Sequence, residues 1–465
     1  MKNTFLYIAI LLLGLTSCDD RLNINPLQTI DAGQALSSEQ DLQSAIIGAY
    51  GQLGNAALYG TNFNLLAELQ AAEDYITWRG TFQGYREVAT KTMTFANSEA
   101  NRTWINGYQT INTVNNVLAN LDKTTGATTR SQIEGEALFI RGILFFELVR
   151  YYAQPWGATA TNSQPGLPLV LTPSTTVELA NTQVPRSTVA QTYAQAIDDL
   201  TKAASLLPAD NGTRADKFSA LAFLSRVYLQ QADYAKALDA ANQVIASGSY
   251  RLNPGVSAVF RNRNTAESIF EIQQNDQNNA GSSNDGLTTF YGSVPIDGSP
   301  LGRGDVQINT SFVNSFSATD ARRTELLYIG FRGTNRYYSG KFTNFGDNIP
   351  VIRLAELLLI RAECNLRLNS ATGATPAADL NAVRTRANLA PIATPTLADV
   401  LQERVYELAF EGLRIHDVKR LRQTLIRRNA DGTEVRYPWT DPNLVLPIPK
   451  REIDVNPAIT QNEGY

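Results

Sequence analysis

Residues Phe218–Tyr250, FSALAFLSRVYLQQADYAKALDAANQVIASGSY, constrain the fold more than any other stretch of the chain. Leu221, Leu224 and Tyr228 recur at helical spacing with Ser225 as a small residue among them. Gln230–Asp233 reads as a turn, and after it Tyr234, Ala237, Ala241 and Val244 take up the same spacing. This is the skeleton of a tetratricopeptide unit, L-x2-L-S-x2-Y followed by A-x3-A. Small residues let two antiparallel helices approach, and larger ones fill the groove between them. One such hairpin cannot bury its own apolar faces, so the pattern calls for neighbours. The Trp, Gly and Pro of the repeat consensus are missing, which leaves a generic helical hairpin as the alternative reading.

The rest of the chain has the length and composition to supply those neighbours. At 465 residues it has room for about two or three domains, or for one large irregular one. An apolar content of 43% sets aside disorder as a whole-chain class. A net charge of −4 argues against a nucleic-acid binder, which carries a basic excess. Histidine occurs once, at His416, and cysteine only at Cys18 and Cys364, so a zinc site of His and Cys ligands cannot be assembled. A Ser–His–Asp triad would need His416, which sits mid-helix in EGLRIHDVKRL and reads as a packing residue. No catalytic residue, cofactor or metal ligand is therefore assigned.

The N-terminus has the form of a secretory leader. Met1-Lys2-Asn3 precedes the apolar run Phe5–Leu15, too short to span a bilayer, and Thr16-Ser17-Cys18 follows. Cys18 after Leu15-Thr16-Ser17 resembles a bacterial lipoprotein signal, in which the thiol is lipidated and becomes the first mature residue. Residues 1–17 are read as the signal peptide and 18–30 as a tether. A membrane anchor with an incidental cysteine is the alternative. Asp19 and Asp20 resemble the acidic export signal of Bacteroidota lipoproteins. No later segment reaches the ~18 consecutive apolar residues of a transmembrane helix, so anchoring would be by lipid alone.

Along the mature chain helical patterns dominate. From Asp31 to Tyr75 they run through Leu42, Ile46, Ala49, Tyr50 and Leu53, then Leu65, Leu66 and Leu69. Trp104, Tyr108, Ile111, Val114 and Leu118 mark another, and Glu134–Tyr152 a strongly apolar one that stops before Pro155-Trp156-Gly157. Thr188 with Gln191 forms a capping box for a helix closed by Pro208. Gly248–Pro350 breaks the rhythm: Ser268–Ile272 alternates like a strand, and Asn275–Gly286 is almost wholly polar. That polar run half-matches a calcium loop, but Ala280 and Leu287 stand where ligands belong, and the site is rejected. Arg303-Gly304-Asp305 is read as a chance tripeptide. Helices resume after Pro350, over Ile352–Leu366, Asp379–Ala387 and Thr396–Arg428, with Thr396 and Asp399 as a capping box. Cys364 reads as packed, and Lys419, Arg420, Arg422, Arg427 and Arg428 as a solvated helix face.

Several of these pieces, in this order, resemble the SusD/RagB family of outer-membrane nutrient-binding lipoproteins. The resemblance rests on the lipoprotein start, on Glu134–Tyr152 with Pro155-Trp156-Gly157, on Arg186–Pro208 and on the Phe218–Tyr250 hairpin. Val351–Leu368, Asp379–Leu389, Glu403–Leu421 and the tail Leu446–Tyr465, LPIPKREIDVNPAITQNEGY, complete it. It implies a mainly α fold of tetratricopeptide-like helical hairpins, about four of them, with an irregular loop-rich region and minor β. An N-terminal helical part over 31–260 and a C-terminal part over 261–465 would pack as one compact unit. The resemblance also implies an outer-membrane, surface-facing protein that sits as a lid over a SusC-like TonB-dependent barrel. Its cargo would be oligosaccharide, or peptide as in some members.

Family ligand sites draw on the loop after the first helical pair and on the central insertion, here Tyr75–Tyr85 and Asn275–Tyr291. Trp78, Phe82 and Tyr85 offer flat apolar faces for a sugar ring, with Tyr291 as a further aromatic. Arg79, Asn275, Asp276 and Asn284 offer hydrogen bonds to hydroxyls. The alternative is that Trp78 and Phe82 merely seal the helical frame. Two other function classes stand beside this one. Glu68, Glu73 and Asp74 near Trp78 would serve a secreted glycoside hydrolase, which needs two carboxyls at a fixed separation. A tetratricopeptide groove would serve a scaffold that binds a partner peptide.

Overall fold

The computed structural model describes residues 36–465 apart from 74, 294, 297, 298, 301, 332–335 and 430. The leader, Cys18, Asp19, Asp20 and the tether lie outside the described residues, as does Asp74. The protein is mainly α-helical, with tetratricopeptide-like helices and short strands.

Helices α1 (Glu39–Leu53), α2 (Asn62–Gln70), α3 (Gln83–Thr90), α4 (Ser98–Ala119) and α5 (Ala127–Tyr152) come first. α6 (Val189–Leu206), α7 (Lys217–Gln230) and α8 (Tyr234–Ala246) follow. After the short α9 (Leu287–Tyr291) come α10 (Leu354–Leu368), α11 (Pro376–Arg386), α12 (Leu397–Glu407) and α13 (Arg414–Arg420). The packing runs as a chain: α4 on α5, α5 on α6, α6 on α7, α7 on α8, α8 on α10 and α10 on α11. Each helix thereby covers the apolar face its neighbour leaves open, which is how repeats share one core.

The α7–α8 turn forms where the pattern places it, with Ala232 in the left-handed region and Asp233 accepting from the Lys236 N–H. Ala237, Ala241 and Val244 are buried on the facing side of α8. Both expected capping boxes are present, Thr188–Gln191 on α6 and Thr396–Asp399 on α12. Close approach matters most between α5 and α6. A Cβ at Gly142 would lie 2.9 Å from Leu200 Cγ and 3.2 Å from the Ala196 carbonyl oxygen. The main hydrophobic cluster draws on residues from Leu42 to Ile459, so both halves of the chain feed it.

The strands serve the loops. β1 (Ile76–Trp78) pairs antiparallel with β3 (Val306–Ile308) in a sheet of order β1-β3-β5-β4, where β4 is Leu327–Ile329 and β5 Tyr337–Ser339. β2 (Ser268–Ile272), the alternating run of the sequence, pairs with β6 (Ile349–Arg353). β7 (Leu425–Arg428) and β8 (Glu434–Tyr437) form a hairpin.

The hairpin corrects one expectation. The helical reading of Thr396–Arg428 holds only to Glu407, where the chain breaks through Phe410 and Gly412, both at positive φ. A short α13 and β7 follow. The reason lies elsewhere in the chain: buried Glu68 on α2 accepts the Gly412 N–H at 2.8 Å and the Leu413 N–H at 3.1 Å, and a continuous helix would not offer them. A second correction concerns the basic cluster. Lys419 and Arg420 are buried rather than solvated, Arg420 bridging Glu363 at 2.7 Å and Asp417 at 2.6 Å. Burial, with Arg150 nearby, pulls the Lys419 ammonium down to about 7. His416 packs edge-on against Tyr151, and burial pushes the Cys364 thiol up to about 12.

Beneath β6 lies a buried ionic cluster. Arg353 reaches Glu267 and Glu407 at 2.7 Å each and Glu411 at 2.8 Å. Arg386 bridges Glu267 and Glu407 as well, and Arg322 joins Asp320, Glu403 and Glu407. Burial alone would raise the Glu407 carboxyl, but Arg386, Arg353 and Arg322 hold it well below the usual range.

Candidate functional site

Strand alternation sends Ile76 and Trp78 inward and leaves Thr77 half-exposed. The chain then turns tightly. The Arg79 N–H donates to the Asp305 carbonyl at 2.6 Å, and Gly80 fits because a Cβ there would sit 2.4 Å from Trp78 Cζ2 and 2.7 Å from Asp305 Cγ. Phe82 leads into α3, which carries Tyr85.

Trp78, Phe82 and Tyr85 do come together, around a fourth ring from α9. Phe290 lies 5.6 Å from Trp78, 5.7 Å from Phe82 and 5.1 Å from Tyr85, centroid to centroid. Trp78 and Tyr85 stand 5.1 Å apart. These are the offset and edge-on contacts that aromatic quadrupoles favour. Their result is that Trp78 is 9% exposed and Tyr85 0%, so the faces expected to stack on a ligand are spent on one another. Phe82 is half-buried and reaches the surface.

A polar layer fixes the cluster. The Tyr85 hydroxyl donates to Asn62 Oδ1 at 2.8 Å. Burial, then the Glu99 carboxylate, holds that phenol protonated. Arg102 on α4 binds Glu99 and also Asp285, the latter through Nη2 to Oδ1 at 3.0 Å and through Nη1. The polar run 275–286 is thereby docked at its C-terminal end.

On the outer side Arg303 spreads over the Phe82 ring at 5.0 Å, with Nε 3.0 Å from Asp305 Oδ2 and Nη2 donating to Thr81 Oγ1 at 3.0 Å. Gly304, at positive φ, turns the chain between the two charged residues. The tripeptide set aside as chance thus builds the rim. Its signal in the sequence was a glycine between opposite charges, which is common and says nothing of position. Phe290, Arg102 and Asp285 were missed for the same reason.

The other expected contacts are dispersed. Arg79 is exposed, its Nε donating to Gln307 Oε1 at 3.2 Å. Asn275, Asp276 and Asn284 are exposed on the polar run, but Asn275 Oδ1 is occupied by the Gln277 and Asn278 N–H groups at 2.9 and 2.8 Å. Tyr291 is 0% exposed and belongs to another ring cluster, 5.5 Å from Phe342 and 5.9 Å from Phe410. The gap between the polar run and residues 341–349 has a volume of about 10 Å³, room for a water at most.

The carboxylates singled out for hydrolysis are tied down. Glu68 is buried against the backbone N–H groups of Gly412 and Leu413, and burial lifts it to about 7. Glu73 is paired with buried Lys91. Among the described residues, no group of three His, Cys, Asp or Glu is placed to hold a metal, and no helix is long and apolar enough to cross a membrane.

Residues 24–229 match a family model described as starch-binding associating with outer membrane, and residues 330–465 match the SusD family model. The chain is 27% identical to SusD-like protein P2 of Formosa agariphila, over 100% of both chains. It is 26% identical to starch-binding protein SusD of Bacteroides thetaiotaomicron, over 98% of this chain and 97% of that one. A SusD superfamily protein from Bacteroides thetaiotaomicron superposes with a TM-score of 0.81 at 25% identity, covering 91% of this chain and 99% of that one. A structure described as a putative sugar binding protein from Bacteroides vulgatus gives 0.78 at 27% identity, covering 93% and 99%.

Proposed function

Because this chain belongs to the SusD/RagB family, we propose that it is a surface-exposed glycan-binding lipoprotein, anchored through Cys18, that captures oligosaccharides and delivers them to a SusC-like TonB-dependent barrel. The observation that carries the reading is the Phe82 rim. Phe82 is half-buried and reaches the surface at a fixed position, and Arg303 and Thr81 beside it supply hydrogen-bond donors. An apolar patch ringed by a few placed polar groups is what a sugar ring needs, with its C–H face and its equatorial hydroxyls. Arg79, Asn284, Asp276 and Asn275 are further exposed polar side chains that could bond hydroxyls of a longer ligand. The buried Tyr85 and the inner faces of Trp78 act behind the Phe82 rim, holding the loop. The tied-down Glu68 and Glu73 favour binding over hydrolysis, since a glycosidase needs two carboxyls free to meet substrate.

Calorimetry against a panel of neutral and acidic oligosaccharides tests this. One ring face contributes on the order of 1 kcal/mol, so Phe82→Ala with Arg79→Ala should weaken the best ligand about tenfold or more. Thermal melts should show the variant folded at the assay temperature, although Phe82→Ala gives up its packing on Phe290. Binding of oligopeptides with no oligosaccharide bound would overturn the cargo assignment. Recovery of the full-length protein from membranes without a large barrel partner would overturn the delivery step.

A further inference from the structure

On β1, just before the loop that carries the rim, lies a second feature. A cleft of about 290 Å³ opens between β1, α3 and the β7–β8 hairpin. Its lining includes Glu73, Trp78, Arg86, Arg427 and Arg428 over an apolar floor that includes Ile76 and Ile426. The volume is near the roughly 300 Å³ at which pockets begin to hold small ligands, enough for one ring.

Three polar atoms of this lining are buried without a hydrogen-bond partner: Trp78 Nε1, Arg427 Nε and Glu73 Oε2. Buried polar atoms are nearly always partnered, and leaving one unmade costs free energy. The three residues that carry them, with two donors and one acceptor, all line one cleft. The charges are uneven too. Arg428 is engaged with Glu434 at 3.3 Å, and Glu73 is neutralised by buried Lys91. Arg86 donates to the Gly80 carbonyl at 3.0 Å and Arg427 to the Thr90 carbonyl at 3.1 Å, and among the described residues neither has a carboxylate partner. Arg427 is also held over the Tyr437 ring, 5.7 Å from its centroid, which fixes the direction of its guanidinium.

We propose that this cleft takes an acidic sugar residue, one bearing a carboxylate or a sulfate ester, with its anion on Arg86 and Arg427. The planar guanidinium presents paired donors to an oxyanion, which suits arginine to this task better than lysine. Glu73 Oε2 accepts a ring hydroxyl, and Lys91 behind it prevents that carboxylate from repelling the ligand's charge. The Trp78 N–H donates to a second ligand oxygen. Ile76 and Ile426 meet the C–H face. The inference rests on the glycan-binding reading and names the class of glycan: a polymer with acidic units, bound at the cleft through charge and at the rim through Phe82.

The experiment compares three matched probes by calorimetry: galactotetraose, tetragalacturonate and a sulfated galactan tetrasaccharide. Wild-type protein should bind one of the two acidic probes at least tenfold more tightly than the neutral one, and which of them it prefers identifies the anion. That preference should fall as salt is raised, since exposed charge pairs are screened. Arg427→Gln should abolish the preference and leave galactotetraose binding unchanged, and Arg86→Gln, at an exposed position, should lower it even if Arg427→Gln is poorly folded. Acidic binding should also change indole fluorescence, and Trp78→Phe should remove that change. Equal affinity for all three probes, with Phe82→Ala still reducing it, would overturn the acidic site and leave the glycan reading standing. Retention of the preference in both arginine variants would also overturn the site. Failure of every probe to bind would overturn both.

Discussion

The interface between α5 and α6 and the ionic cluster beneath β6 hold one molecule together by opposite means. At the first, two helices close on Gly142 and on Leu200, with Arg141 and Asp199, 2.8 Å apart, as a pin. Shape decides the fit, and any residue of the right volume serves. At the second, Arg353 joins Glu267, Glu407 and Glu411, and charge geometry decides. A buried charge left without its partner costs several kcal/mol, whereas a slightly misfitted methyl costs a fraction of that. The chain therefore tolerates change along its helical frame more than at the seam of its C-terminal half.

The largest loss is expected from Arg353→Ala. It removes the one cation shared by Glu267, Glu407 and Glu411, leaving them to Arg386, Arg322 and Lys341, and should cost about 3–5 kcal/mol, read as a shift in the urea midpoint. Arg353→Met should cost nearly as much, since volume is restored and charge is not. A methionine variant as stable as wild type would show that shape governs here too. Gly142→Leu comes next. It overfills the α5–α6 contact and should cost about 1–3 kcal/mol. Gly142→Ala should cost less than leucine, because a gain of about 1 kcal/mol in helix propensity offsets part of the close contacts with Leu200 and the Ala196 carbonyl. Equal losses for alanine and leucine would mean the backbone, not packing, needs the glycine.

Glu68 stands between the two regimes, a buried carboxyl held by backbone N–H groups rather than by a cation. Burial raises it to about 7 from an ordinary 4.5. Between those values the folded protein keeps a proton that the unfolded chain has released. Its contribution is therefore full below about pH 4.5 and is lost as pH rises toward 7. Glu68→Gln imitates the protonated acid, so at pH 5 it should change stability by only about 0.5 kcal/mol. Its mark is on the slope: urea midpoints measured from pH 4.5 to 7.5 should decline less in the variant. An unchanged slope would place the titration on another group.

The same contrast explains what was legible. Helical faces are written at spacings of three and four residues, so Leu221, Leu224 and Tyr228, or the Thr188–Gln191 box, could be read from a short window. The partners of Arg353 stand 54 and 86 residues away, at Glu407 and Glu267, and no local pattern announces them. The site divides along that line. The Tyr75–Tyr85 loop was found by its aromatics, and three of its rings do cluster. Phe290 and Arg303 arrive from the far side of the chain, and it is Phe290 that covers the faces of Trp78 and Tyr85. The break after Glu407 was hidden for a similar reason, since the acceptor that draws the Gly412 and Leu413 N–H groups out of helical pairing is on α2.

That last contact also sets a schedule. Glu68 and Gly412 are separated by 344 positions along the chain, whereas the helices of the α7–α8 hairpin meet across a dozen or so. Loop-closure entropy grows by about 0.6 kcal/mol with each doubling of the loop, so roughly five doublings make the longer closure about 3 kcal/mol costlier to begin. The hairpins can form as soon as their own residues are free to move. The α2 carboxylate has nothing to hold until the loop beyond α12 has left the ribosome and, on the export route proposed for this chain, has crossed the inner membrane. A chain truncated before Gly412 would therefore keep its hairpins and lack the clasp that closes its first helices onto its last.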